Sequence, residues 1–177
     1  MNRIYRCLVM IFFMIIADQV TKGYFQQNFQ LGESVAVIDG FFNFTYVQNK
    51  GAAFGMGAGA NDTLRMVIFK IIPVFVCFYL FYLMFIYRNR EEKKIMVWGY
   101  ALVLAGAVGN LIDRISLDYV VDFLDFYYKS HHYPAFNIAD SCITVAIGIL
   151  IVETYREEKR EKLEKEKQAL ASSSDKA

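Results

Sequence analysis

The run Ile71-Ile-Pro-Val-Phe-Val-Cys-Phe-Tyr-Leu-Phe-Tyr-Leu-Met-Phe-Ile86 carries no charge over sixteen residues. Taken out to Met66–Tyr87, it matches the roughly 20 mostly apolar residues that an α-helix needs to cross a bilayer core. Three other stretches read the same way. One runs from about Ile4 to Phe25, with its apolar centre at Leu8–Ala17. Another runs from Ile95 to Ile112 without a charge, and the last from Ile138 to Tyr155 with Asp140 near its start. Asp18 and Lys22 stand where a cleavable leader would need small residues, so the first stretch reads as a span rather than a signal peptide. The chain of 177 residues is 56% hydrophobic and 16% aromatic, and its charges crowd into Arg88–Lys94 and Tyr155–Lys167. A soluble domain would scatter them. The expected class is a membrane all-α protein, a bundle of four transmembrane helices.

Lys and Arg set the orientation. Arg3, Arg6, Arg88, Arg90, Lys93, Lys94 and the tail from Arg156 onward hold thirteen of the nineteen basic residues. That side is expected to be cytoplasmic, with both termini there and two loops outside. Residues 1–155 form the membrane domain in this reading, with outer loops at 26–65 and 113–137, and 156–177 form a charged cytoplasmic tail. In the tail, acids and bases alternate at helical i,i+4 spacing, as on a solvated helix. The net charge of +1 offers no global field for nucleic acid. Cys7, Cys77 and Cys142 lie far apart in apolar runs, which suits packing rather than a disulfide framework or a zinc site.

The outer loops are the informative part. Asp39-Gly40 signals a turn. After it, Phe42, Phe44 and Tyr46 alternate with Asn43, Thr45 and Val47, the period of a strand. A small sheet on the outer surface follows, its aromatic face at the membrane interface. Gly51-Ala-Ala-Phe-Gly55-Met-Gly57-Ala-Gly59 then offers little side-chain bulk, suiting either a flexible loop or the close approach of another backbone.

Ionisable groups at membrane depth are costly and mark either function or pairing. Asp18 and Lys22, four residues apart on one helix face, suit an ion pair. Asp113 and Arg114 suit the interfacial end of the third helix. Asn137 and Asp140 suit the cap and first turn of the fourth, and Asp125 a water-facing position in a short amphipathic segment. Asp122 sits among Val120, Val121, Phe123 and Leu124, where a carboxylate needs a partner. Asp140 enters the fourth span at the same depth. Two carboxylates in a dry site share one proton, so that one donates and the other accepts from water. Spacing alone leaves this protease chemistry open beside a proton relay and plain structural acids.

At these residues the chain resembles the lipoprotein signal peptidase family, the type II signal peptidases of bacteria. Five segments carry the likeness in order: Asp18-Gln-Val-Thr-Lys22, Asn49-Lys-Gly51-Ala-Ala-Phe-Gly55, Gly109-Asn110-Leu-Ile-Asp113-Arg114, Val121-Asp122-Phe123 and Phe136-Asn137-Ile-Ala139-Asp140. The resemblance implies a catalytic pair of Asp122 and Asp140. It implies substrate binding by Asn49, Gly51, Asn110, Arg114 and Asn137, and structural roles for Asp18, Lys22 and Asp113. It implies an aspartic endopeptidase without metal or other cofactor, in the bacterial inner membrane among its lipids, with the active site at the outer face. The implied substrates are prolipoproteins carrying a diacylglyceryl-modified cysteine, cut on its amino side. The implied fold adds a small extracytoplasmic β-sheet and a short, mobile periplasmic helix, with Gly51–Gly59 and Leu117–Tyr128 closing over the lipidated cysteine. The chain departs from the family at Asp118, often glycine, and at Tyr133, often tryptophan. The competing reading, a small transporter or proton-relay protein, would need ionisable groups along the depth of the spans, and the third span has none.

Overall fold

The computed structural model of the chain describes residues 2–51 and 62–174. Four helical stretches are long and apolar enough to cross a membrane: Arg3–Asn28, Thr63–Tyr87, Lys94–Ser116 and Ile138–Lys167. The first is α1 (Arg3–Asn28), the third α4 (Lys94–Ser116), and the last belongs to α5 (Ile138–Ser174). The second is composite: α2 (Asp62–Met66), a π-helical turn at Val67–Ile71, and α3 (Ile72–Tyr87). Pro73 lies in the first turn of α3, and regular α-geometry would drive its ring against the carbonyl of Phe69. The wider turn just upstream relieves that clash without breaking the span.

Helix α4 is central and packs against α1, α3 and α5. Cys7 and Ile11 of α1, Leu80 and Met84 of α3, and Val97, Ala101, Leu104 and Ala105 of α4 form the buried core. Outward faces carry Phe75, Phe78, Val145 and Ile151, each more than half exposed; such a surface suits hydrocarbon, where helices satisfy their own backbone groups. The cysteines are free thiols, two buried and Cys77 partly so. At the end of the bundle away from the sheet, Arg3 donates to the carbonyls of Arg88 and Arg90 and pairs with Glu91. Lys93 pairs with Glu157 there at 2.5 Å.

At the other end lies an antiparallel sheet in the order β1 (Ser34–Ile38), β2 (Phe42–Asn49), β3 (Val120–Tyr128), β4 (His131–His132). Gly40, at φ 78°, makes the expected turn between β1 and β2. A bulge between Phe44 and Val47 breaks the alternation, so Thr45 and Tyr46 are both buried. The aromatic face packs inward against the bundle: Phe25 of α1 stacks on Phe123 at 4.5 Å and meets Phe44 at 5.2 Å. Beyond the anticipated strand over Phe42–Val47, β2 runs on to Asn49, and β1 and β3 are strands too. Leu117–Tyr128 is not a free loop: Val120–Phe126 pairs with β2, and Tyr127 and Tyr128 pair with β4. Nor does Asp125 face water. It is buried beside Asn43 and His132, at 2.9 Å from each. Of the glycine-rich segment Gly51–Gly59, only Gly51 is among the described residues.

Candidate active site

Asp122 reaches the site from β3, whose backbone pairs it with Val47. Asp140 reaches it from the first turn of α5. Asp140 lines a cavity of about 460 Å³ together with Asn49, Gly51, Asn110 and Arg114, and Asp122 lies behind Asn49, one of those lining residues, which donates to it. Asp122 is 1% exposed. Its two oxygens accept hydrogen bonds from Asn49 Nδ2 (3.0 Å) and Asn137 Nδ2 (2.7 Å). Burial, and then the neighbouring charge of Asp140, push its carboxyl up to about 7, against the opposing pull of Asn49 and Asn137.

Asn137 is the joint between the two acids. Its Oδ1 accepts from the Asp140 backbone N–H at 2.9 Å, capping α5. Its Nδ2 serves Asp122 and lies 3.2 Å from both Asn110 Oδ1 and the Val121 carbonyl. Asn110 in turn donates to Asp140 Oδ1 at 2.7 Å. One asparagine thus sets the helix start and the position of the strand carboxylate together. Arg114 lies against the ring of Phe69 at 5.5 Å and also lines a neighbouring cavity with Phe69 and Lys70 of the π-helical turn. Gly51 lines the cavity too and donates to Asn49 Oδ1.

Asp18, Lys22 and Asp113 stand behind this layer. Lys22, 2% exposed, lies 2.8 Å from Asp18 and 3.1 Å from Asp113, and donates to Asn110 Oδ1 at 3.0 Å. The i,i+4 pair expected within α1 is present, with a second acid added from α4. Asp113 does not simply close the third helix beside Arg114; it accepts from the Val121 N–H at 3.0 Å. Asp18 accepts from the Ala139 N–H at 2.9 Å. Each acid therefore grips the backbone one residue before a candidate carboxylate: Ala139 before Asp140, Val121 before Asp122.

Sequence reasoning passed over Gln19, whose Nε2 donates to Asp18, Asp113 and the Gly109 carbonyl at 2.9–3.2 Å. Its only signal was its position in the motif between Asp18 and Lys22. Gly109 matters for a different reason. A Cβ there would come within 2.7 Å of Asp18 Oδ2, so glycine lets α4 approach the α1 carboxylate. Asp118, at φ 65°, is exposed, and its carboxyl is held low by Lys70 at 2.6 Å. The ion pair gives the side chain a use at a backbone conformation that favours glycine.

Comparison with known proteins agrees with this architecture. The family model described as signal peptidase (SPase) II matches residues 10–156. A lipoprotein signal peptidase of Syntrophus aciditrophicus (strain SB) is 46% identical over 147 residues, covering 82% of this chain and 89% of that protein. One from Maridesulfovibrio salexigens is 41% identical over 157 residues, covering 88% and 99%. A bacterial membrane enzyme solved by the in meso method superposes with a TM-score of 0.76 at 32% identity, over 90% of this chain and 95% of that one. The chain belongs to the signal peptidase II family, the lipoprotein signal peptidases, which cleave signal peptides from prolipoproteins.

Proposed function

We propose that the chain is an aspartic endopeptidase whose catalytic pair is Asp122 and Asp140, and that it cuts diacylglyceryl-modified prolipoproteins on the amino side of the lipidated cysteine. The observation that carries this is the single asparagine, Asn137, that is hydrogen-bonded to both aspartates, to the Asp122 carboxylate and to the Asp140 backbone N–H. With its carboxyl near 7, Asp122 holds the proton that the pair shares. Asp140 takes a proton from water as the water oxygen attacks the scissile carbonyl carbon. Asp122 gives its proton to the carbonyl oxygen, so a neutral gem-diol forms. Asp140 then protonates the leaving nitrogen, the C–N bond breaks, and a diol hydroxyl returns a proton to Asp122. Asn49, Gly51, Asn110, Arg114 and Asn137 hold the substrate backbone in register. Asp18, Lys22 and Asp113 position the pair, and the chemistry calls on no metal or other cofactor.

The test is turnover of a lipid-modified prolipoprotein by the purified protein in detergent across pH. Folding raises the Asp122 pKa from 3.8 to about 7. Protonation there therefore favours the fold below the ordinary carboxylate range, and that contribution is lost as pH rises through about 7. Cleavage should fall over the same interval as the shared proton leaves. Asn49→Ala removes a hydrogen bond to the ionised carboxylate, so the alkaline limb of kcat should move to higher pH. A limb that stays in place removes Asp122 as the proton holder.

The sheet end with this cavity is placed at the outer face of the inner membrane, and both termini, the Arg88–Lys94 turn and the tail of 156–177 in the cytoplasm, by the distribution of Lys and Arg. A membrane-impermeant thiol reagent applied from outside should label a cysteine at Asp62 and spare one at Asn89. The reverse pattern would invert the topology.

A further inference from the structure

A second cavity, of about 400 Å³, lies along α5; Val145, Gly148, Val152, Glu153 and Arg156 line it, with Ile95 and Ile149. It shares Val145 with the cavity at the carboxylate pair, so the two form one track down the helix. Val145, Gly148 and Val152 on this track are exposed. A Cβ built at Gly148 would meet nothing within 4 Å, and a small residue there lets another helix come close.

The track ends at a charge. Glu153 is 2% exposed and lines this cavity together with Arg156. Its Oε1 accepts from Arg160 at 3.3 Å, but its Oε2 has no hydrogen-bond partner, and the Arg156 guanidinium stands off at 3.7 Å. A buried carboxylate oxygen left this way calls for a donor. Arg156 and Arg160 are themselves more than half exposed, and water screens them. From Asp140 to Glu153 is thirteen residues of α5, about 20 Å at 1.5 Å per residue. Signal peptides carry a basic segment followed by about 7–15 apolar residues before the cleavage site. As a helix, the longer of these cover that distance.

We infer that the substrate's signal helix lies along the Val145–Gly148–Val152 face of α5, and that Glu153 receives a lysine or arginine of its basic segment. Glu153 is then a positioning residue that reads the far end of the signal peptide while Asp122 and Asp140 act on the near end. This rests on the proposed function above, with the carboxylate pair at the cleavage end.

Two lipid-modified prolipoproteins test it, identical except for Lys or Gln in the basic segment. Wild-type enzyme should show a KM about tenfold higher for the Gln substrate, with kcat unchanged, as loss of a partly desolvated charge pair implies. Glu153→Gln should raise KM for the Lys substrate by a similar factor and abolish the distinction. Gly148→Leu, which places a side chain in open space, should raise KM for both. Glu153→Gln slowing both substrates alike, wild-type enzyme treating them alike, or Gly148→Leu leaving KM untouched would each overturn the inference. A wild-type enzyme that cleaves neither substrate strikes the proposed function instead.

Discussion

Asp122→Asn and Asp140→Asn should each abolish measurable turnover of a lipid-modified prolipoprotein while the protein stays folded in the membrane. Asparagine keeps the size of the side chain and its ability to accept from Asn49, Asn137 or Asn110. It can neither take a proton from water nor give one to the carbonyl. If, as proposed, the two carboxylates act as a unit, the expected loss is about 10⁴-fold or more for each, and the double variant should be no slower than the singles. Asp125→Asn and Asp118→Asn serve as controls: Asp125 is engaged with Asn43 and His132, and Asp118 with Lys70, both apart from the pair. Turnover is read against the level of each variant in the membrane. Near wild-type cleavage by Asp122→Asn would assign the chemistry to another carboxylate.

The second large effect falls on stability. Lys22→Met leaves Asp18 and Asp113, 1% and 2% exposed, facing each other without the cation between them. Removing one partner of a buried ion pair costs about 3–5 kcal/mol, chiefly from the uncompensated charge that remains. Thermal unfolding in detergent should show the loss directly. The backbone N–H groups of Ala139 and Val121 depend on the same acids, so the destabilised protein should also lose cleavage. Adding Asp18→Asn and Asp113→Asn to Lys22→Met removes the stranded charges and should recover part of the stability. If Lys22→Met melts at the wild-type temperature, the buried trio does not hold the site together.

Much of the site was legible because its signals are local. An i,i+4 spacing on α1 is enough to pair Asp18 with Lys22, and an asparagine three residues before an acid is enough to cap α5. Asp122 stood out as a carboxylate among valines and aromatics. The partners of Asp113 and Gln19 were not legible in the same way. Lys22 and Asp113 are joined across α1 and α4, and no short-range period in a sequence reports such a pairing. The strand at Val120–Tyr128 was hidden for a related reason. A strand buried on both faces is a continuous apolar run rather than an alternation, and the charge of Asp125 inside it mimicked a solvated edge until Asn43 and His132 were placed beside it.

By itself the sequence determined the four spans and the strand after Asp39-Gly40, because a bilayer demands about 20 apolar residues per crossing and a pleated strand repeats every two. It also determined which carboxylates were too costly to be incidental. Only the tertiary structure decided that Asp122 and Asp140 meet through one asparagine, and that Asp18 and Asp113 each grip the backbone just before one of them. It alone decided that Glu153 ends a track beginning at their cavity. These are relations between α1, α4, β3 and α5 that depend on how close α4 can approach its neighbours. That approach rests on the missing side chains of Gly106 and Gly109, where an added Cβ would run into the Ala139 carbonyl oxygen and come within 2.7 Å of the Asp18 carboxylate, respectively.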